Sequence, residues 1–404
     1  MREKITIGID VGSSEVVAIV GHRGEDEIHP NIIGVGVQEN SGLRKGIVTD
    51  VEETMAAVMG ALDKAERMAG VPIEGAYVSI NGEHIQSTNN KGLISIAHHE
   101  ISGDDMMRVI ESAQTVALPA NREIIHVIPR TFIVDGQDGI KDPIGMAGTR
   151  LEVDAHVITG STPFIKNLQK TIEQGGVSIS NFVLAPLAAS KAVLSKKQKE
   201  LGVVVIDIGA GTTGLVVFDE GDICHSAVLP IGSGHLTSDI AIGLRTSLDV
   251  AEKVKIEYGM ASSLMLSDKD VVDLSRFDKS EDQQISRRYI AEIIEARLME
   301  IFMMVKTELR KVGKDGMLPA GVVLVGGGAK LPGIIDFAKD NLGLPAQIGF
   351  PIELRGVVDK LDDPRFVTAI GLVLWGMEEN SGMSSFMREP SFGGVFARLR
   401  NWFK

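Results

Sequence analysis

The chain has 404 residues and a formal net charge of −13, with 44% hydrophobic and 24% charged residues. That length asks for more than one core, the composition is that of an ordinary globular protein, and the negative charge excludes a general nucleic-acid binder, which phosphates would repel. Cys224 is the only cysteine, so no intramolecular disulfide can form and a reducing cytosol is the expected compartment.

Residues Met1 to Lys4 lead directly into a strand pattern, without the apolar core of a signal peptide. No apolar run approaches the ~20 residues needed to span a bilayer. Ile5–Asp10 and Val16–Val20 are apolar strands around the turn Asp10-Val11-Gly12-Ser13-Ser14. Gly75–Ile80 and Asp154–Thr159 read as core strands. The stretch between them carries a helix over Ser102–Ala117, with Met106, Val109, Ile110 and Ala113 on one face, and a strand over Glu123–Val134. That is enough for an inserted subdomain. A helix over Pro163–Gln174 stops at Gly175-Gly176, a strand runs to Leu184, and a helix covers Pro186–Leu194. Ser195–Glu200 reads as a solvated turn.

The first motif then returns. Val203–Ile206 and Leu215–Phe218 flank Asp207-Ile208-Gly209-Ala210-Gly211-Thr212-Thr213, again a strand, an Asp-x-Gly turn and a strand. Helices are expected over Asp249–Tyr258 and Ser286–Lys311, a strand over Gly321–Val325 ends in Gly326-Gly327-Gly328, and a helix covers Gly333–Asn341. Met299, Met303 and Met304 are expected in the core, His98-His99 at the surface and Asp362-Asp363-Pro364 in a turn. From Glu378 to Pro390 the chain is polar and aperiodic, as a linker is.

A nucleoside triphosphate needs closely approaching backbone N–H groups, small hydroxyls and a carboxylate for hydrated Mg²⁺. Gly12, Ser13 and Ser14 with Asp10 offer that set on one hairpin. Gly209, Gly211, Thr212 and Thr213 with Asp207 offer it on the other. The glycines 326 to 328 leave room for a base and ribose. A single Asp-x-Gly turn is often only a turn; two matched turns and a glycine triplet in this order are a constellation. No Walker G-x-x-x-x-G-K-[ST] segment is present.

This order resembles the actin-like ATPase superfamily, which implies an α/β, duplicated ATPase fold binding ATP and Mg²⁺. Glu252 and Lys255 are similar to the superfamily's ribose and adenine contacts, although an exposed helix face accounts for the same pair. Asn31–Gly36, His126–Pro129, Gly139–Gly145 and the C-terminal segment resemble, more narrowly, the FtsA family of bacterial cell-division proteins. That resemblance implies a distinctive subdomain near 84–162, self-association into filaments, binding of the C-terminal peptide of FtsZ, and contact with later division proteins through the insertion. Arg288 and Arg297 resemble its basic contacts for the FtsZ peptide; an exposed helix face is the alternative. In superfamily members a Glu-Pro pair opens the helix after the first half's last strand, and the Glu positions the attacking water. Here the stretch is Leu184-Ala185-Pro186, which implies slow hydrolysis, with Asp207 the remaining candidate for the water.

Phe392, Val395, Phe396, Leu399, Trp402 and Phe403 fill an arc of about 120° on a helical wheel, and Arg398, Arg400, Asn401 and Lys404 occupy the rest. Four of the chain's 18 aromatic residues lie in the last 14 positions. Aromatic and cationic faces of this kind fit an interfacial helix on an anionic membrane; the alternative is a helix docked on protein. The expected division is 1–83 and 163–196 for the first half, 84–162 for the insertion, 197–227 and 303–377 for the second half, 228–302 for its smaller subdomain, 378–390 for the linker and 391–404 for the amphipathic helix. The expected role is a tether for FtsZ at the division site on the inner membrane face. Rivals are a PilM-like pilus-assembly scaffold and a sugar or acetate kinase on the same fold, neither of which accounts for the tail.

Overall fold

A computed structural model of the chain describes residues 4–24, 30–115, 118–264, 266–352, 354–356 and 361–380. The first half begins with β1 (Lys4–Val11), β2 (Glu15–Arg23), β3 (Asn31–Glu39), the two-residue strands β4 (Leu43–Arg44) and β5 (Ile47–Val48), α1 (Val51–Ala69) and β6 (Gly75–Ile80). The insertion follows as β7 (Gln86–Ser95), α2 (Gly103–Gln114), β8 (Arg122–Val134), β9 (Gln137–Ile140) and β10 (Arg150–Ser161). The first half resumes with α3 (Thr162–Gln174), β11 (Ser178–Leu184) and α4 (Ala185–Val193), and α5 (Lys196–Leu201) links it to the second. There the order is β12 (Val203–Ile208), β13 (Thr213–Asp219), β14 (Asp222–Leu229), α6 (Ser233–Leu244), α7 (Leu248–Tyr258), β15 (Val271–Asp273), β16 (Gln284–Ser286), α8 (Arg287–Lys311), β17 (Val322–Val325), α9 (Ile334–Leu342) and β18 (Ala346–Ile348). β19 (Arg355–Gly356) and α10 (Val367–Asn380) bring the chain back to the first half.

The duplication is visible in the sheets. One has the order β11-β6-β1-β2-β3-β19 and the other β14-β13-β12-β17-β18. In each, an antiparallel hairpin (β1–β2, β12–β13) extends to a third antiparallel strand on one side and to two parallel strands on the other. The insertion is a separate sheet, β7-β10-β8-β9, with its own core of Ile101, Met106, Val109, Leu151 and Val153 under α2.

α4 and α10 lie side by side between the two large sheets. A Cβ on Gly371 of α10 would run into the Ala188 carbonyl of α4, so only glycine allows this approach. Because strand side chains alternate in direction, Val203 and Val205 of β12 join the core around α4, while Val204, Ile206 and Ile208 join the core under α8 and α9. The second turn of the duplicated motif therefore emerges from a strand clamped on two faces.

Several sequence expectations are corrected. Residues 196–201 form a helix, not a turn, because Ser195 and Gln198 make a reciprocal capping box. α2 stops at Gln114, short of Ala117, where Thr115 leaves helical geometry. Glu378, Glu379 and Asn380 continue α10 instead of beginning a linker; residues 381–404, the rest of that linker and the expected amphipathic helix, lie outside the described residues. Met299 and Met303 are 45% and 64% exposed, on the outer face of α8, and only Met304 packs against the core.

Candidate functional site

Each half presents its Asp at the end of a buried strand. The following turn is closed in the same way twice: the Gly12 N–H donates to the Glu15 carbonyl at 3.0 Å, and the Gly209 N–H donates to the Thr212 carbonyl at 2.9 Å. Asn40 braces the first turn, its side-chain amide donating to the Gly12 carbonyl at 2.8 Å and its backbone N–H to the Ser14 carbonyl at 2.9 Å. The head of α6 braces the second: Ser233 and Gly234 N–H groups donate to the carbonyls of Gly209 and Ala210.

The two turns meet. A Cβ on Gly211 would lie 2.6 Å from Ser13 Oγ and 3.2 Å from the Lys45 nitrogen, so a side chain there would force its neighbours on the first half to shift. Asn81 Nδ2 spans the same gap, donating to Thr212 Oγ1 at 3.1 Å. Thr213 is fully buried and donates to the Ile231 carbonyl at 2.8 Å, so its hydroxyl braces the turn from behind.

Asp10 lies in the field of Asp207. Burial pushes the Asp10 carboxyl up to about 7; a hydrogen bond from Ser79 opposes the rise, and the charges of Asp207 and Glu15 add to it. Burial likewise pushes Asp207 up to about 6, opposed by the Thr368 hydroxyl, which donates to it at 3.1 Å. Among the described residues neither carboxylate has an ion-pair partner. Two recessed oxygen donors short of positive charge suit a hard divalent cation held partly through water.

The glycine triplet closes the back. Gly326 has φ of +83°, and a Cβ on it would strike the Asp207 carboxylate. A Cβ on Gly327 would meet nothing within 4 Å, leaving an open wall. The chain just beyond the triplet meets the end of α7 through the Ala261 N–H and Pro332 carbonyl, 2.8 Å apart. On that helix Lys255 Nζ is 2.7 Å from Glu252 Oε2 and 2.8 Å from Thr237 Oγ1. At the opposite wall, Ala185 is the buried first residue of α4. The Pro186 ring beside it packs on Gly214, the partner of Asp207 across the hairpin. The first turn of α4 holds no carboxylate.

Arg288 and Arg297 lie on α8. Arg288 pairs with Glu292 at 3.3 Å and Asp268 at 3.6 Å. Arg297 makes a two-pronged pair with Asp239, at 2.6 and 2.8 Å, and a further one with Glu300. Ser79, Asn81 and Thr368 complete the site without belonging to any motif. The one signal for Ser79 is a hydroxyl inside the apolar strand Tyr77–Ile80, and Asn81-Gly82 reads only as a turn.

Residues 204–371 match the family model described as cell division protein FtsA, and residues 82–159 match the SHS2 domain inserted in FtsA. The cell division protein FtsA of Pseudomonas aeruginosa is 36% identical over 99% of this chain and 97% of its own length. That of Bacillus subtilis is 41% identical over 92% of this chain and 83% of its own, and that of Escherichia coli K12 32% identical over 99% and 98%. The chain belongs to the FtsA family of cell division proteins. Among solved structures the fold is similar to a PilM–PilN type IV pilus biogenesis complex (TM-score 0.65, 18% identity, 92% of this chain and 98% of that one). It is also similar to MreB5 of Spiroplasma citri bound to ADP (TM-score 0.55, 15% identity, 96% and 99%). These likenesses establish the actin-like fold around the FtsA-type insertion.

Proposed function

We propose that this FtsA-family chain binds ATP with Mg²⁺ between its halves, assembles into actin-like filaments, and tethers FtsZ filaments to the inner face of the cell membrane at the division site. The observation that carries the nucleotide reading is the pair of matched turns meeting over two recessed carboxylates. In this reading Gly12, Ser13, Ser14, Gly209, Gly211 and Thr212 surround the phosphates, with Thr213 bracing its turn. Asp10 and Asp207 hold the metal through water, and the metal when bound offsets the phosphate charge. Gly326, Gly327 and Gly328 with Glu252 and Lys255 flank the base and ribose. Bound nucleotide joins the halves and stabilises a closed, filament-competent arrangement by its greater affinity for it.

The tether reading rests on family membership and on the composition of residues 391–404. Many weak amphipathic anchors on one filament give strong attachment by avidity. Among the described residues no helix is long and apolar enough to cross a membrane. The FtsZ peptide is assigned to the smaller subdomain, 228–302, at Arg288 and Arg297. Its acidic groups would compete with Asp268, Glu292, Asp239 and Glu300 for those guanidinium groups, which predicts a salt-sensitive contact. The insertion, 84–162, is assigned to later division proteins.

Co-sedimentation with anionic liposomes, with and without ATP, tests the whole reading. The parent pellets, more strongly with ATP, and electron microscopy of the pellet shows filaments; F396E or W402E stays in solution. Because Ala185 offers no group to orient water, phosphate release under these conditions is expected below about one per second per protomer. Pelleting of the Glu variants like the parent would remove the anchor, and fast turnover the structural role for ATP.

A further inference from the structure

A third turn reaches the point where the two phosphate turns meet. β4 and β5 are joined by Lys45-Gly46, and both residues are left-handed, with φ of +52° and +76°. Tight hairpin turns ask for this backbone, and glycine or asparagine adopts it with less strain than lysine. A lysine kept at a backbone position that costs it strain points to a task for its side chain.

The turn is wedged into place. A Cβ on Gly46 would fall 2.6 Å from Gly82 Cα, so the hairpin rests on the Asn81-Gly82 turn, which itself holds Thr212. The Lys45 backbone nitrogen lies 3.2 Å from where a Cβ on Gly211 would sit, and Ser13 Oγ lies 2.6 Å from the same point. Lys45 therefore stands over the junction of the two phosphate turns, on the first-half side, touching the second half. It is partly exposed, and among the described residues its ammonium has no ion-pair or hydrogen-bond partner. The cations farther along the cleft are engaged: Lys330 with Asp363, and Arg365 with Glu15 and Asp363.

We propose that Lys45 contacts the terminal phosphate of a nucleoside triphosphate and so makes the site discriminate triphosphate from diphosphate. The proposal rests on the nucleotide reading of the cleft. A compact ammonium carried on a fixed turn supplies a point charge to the phosphate farthest from the base, where Asp10 and Asp207 otherwise make the field negative. The β4–β5 hairpin, resting on Gly82, carries that lysine from one half to the edge of the loop of the other.

The test is calorimetry on the full chain with Mg²⁺–ATP and Mg²⁺–ADP for the parent, Lys45→Gly and Lys45→Arg. Glycine relieves the left-handed strain, so Lys45→Gly keeps or raises the thermal midpoint and any lost affinity is not lost folding. The expected result is an ATP affinity about tenfold or more weaker in Lys45→Gly, ADP affinity within about twofold of the parent, and most ATP affinity recovered in Lys45→Arg. Equal weakening for both nucleotides, or unchanged ATP affinity, overturns the role of Lys45 while leaving the nucleotide reading intact. A parent that binds neither nucleotide overturns both, and that outcome is visible before any variant is made.

Discussion

At the scale of single residues, Asp10 and Asp207 connect the site to stability. Both carboxyls titrate above their ordinary value of 3.8, at about 7 and about 6, chiefly because burial strips water from the charged form. A group that binds its proton more tightly folded than unfolded contributes stability that is complete below the unfolded pKa and disappears as pH rises through the folded one. The nucleotide-free protein is therefore expected to lose, from this pair, on the order of a few kcal/mol between about pH 4 and pH 7. Urea unfolding across that range measures it, as the difference between the parent and Asp10→Asn or Asp207→Asn. Each variant should be the more stable protein near pH 7.5, and Mg²⁺–nucleotide should raise the parent's stability there while leaving that of the variants little changed. Parallel pH profiles for parent and variants would show that the carboxylates are not the cause. The same two residues stand out in the sequence, since an Asp at the end of a largely apolar run is chemically conspicuous. Ser79 and Thr368, which tune them, do not, because a hydroxyl in a strand or helix has many ordinary uses.

At the scale of elements, legibility follows burial pattern. The hairpins β1–β2 and β12–β13 are readable because apolar runs stop sharply at Asp-x-Gly. α8 is readable because its buried positions, Ile290, Ile294, Leu298, Ile301, Phe302, Val305 and Leu309, follow a helical period. Met299 and Met303 fall outside that period, on the exposed face, although methionine as a residue type favours the core. α10 has no such signal: from Val367 to Met377 all but Leu374 are buried, and a helix surrounded by protein has no polar face to set a period. α5 fails in the opposite way, being polar except for its last residue, Leu201, and only its Ser195–Gln198 capping box marks it. The burial of α10 makes a sharp prediction. Gly371 lets it lie against the α4 backbone, so Gly371→Ala drives a methyl group into the Ala188 carbonyl. In helix propensity the change favours alanine by about 1 kcal/mol, whereas overpacking costs about 1–3 kcal/mol or more. The variant is expected to unfold at lower denaturant, with the same denaturant slope; a midpoint at or above the parent's would mean that α4 and α10 can separate without penalty.

At the scale of the whole molecule, the insertion does more than decorate the first half, because its edge strand is joined to the edge strand of the second. β7 ends the insertion sheet and β14 ends the second large sheet, and unpaired edges of this kind invite foreign strands unless covered. Here side chains cover them. Ser87 Oγ donates to the Ser226 carbonyl at 2.6 Å, and Asn89 Nδ2 donates to the Cys224 carbonyl at 3.2 Å. His156 of β10 links both strands, 2.7 Å from Asn89 Oδ1 and 2.9 Å from Ser226 Oγ. Burial pushes this imidazole down to about 3, with the neighbouring His225, Arg130 and His126 adding to the shift. It is therefore neutral, and its partners fix the tautomer: Nδ1 donates to the Asn89 carbonyl oxygen and Nε2 accepts from the Ser226 hydroxyl. An ion pair between Lys141 and Asp222 closes one end of the join. On its other side the insertion is held to the first half, where the Leu184 N–H donates to His126 Nε2 at 3.1 Å. The insertion thus spans both halves, and a polar join, unlike an apolar one, can part without exposing a large greasy surface. The double variant Ser87→Ala, Asn89→Ala leaves two carbonyls and one imidazole nitrogen unpaired, at a cost of about 2–3 kcal/mol. Hydrogen exchange on the full chain should then quicken at residues 86–95 and 222–229, with β1 and β17 protected as in the parent. Uniform quickening over the whole chain would mean only global destabilisation. Unchanged exchange at β14 would mean that its edge is protected by something other than the insertion.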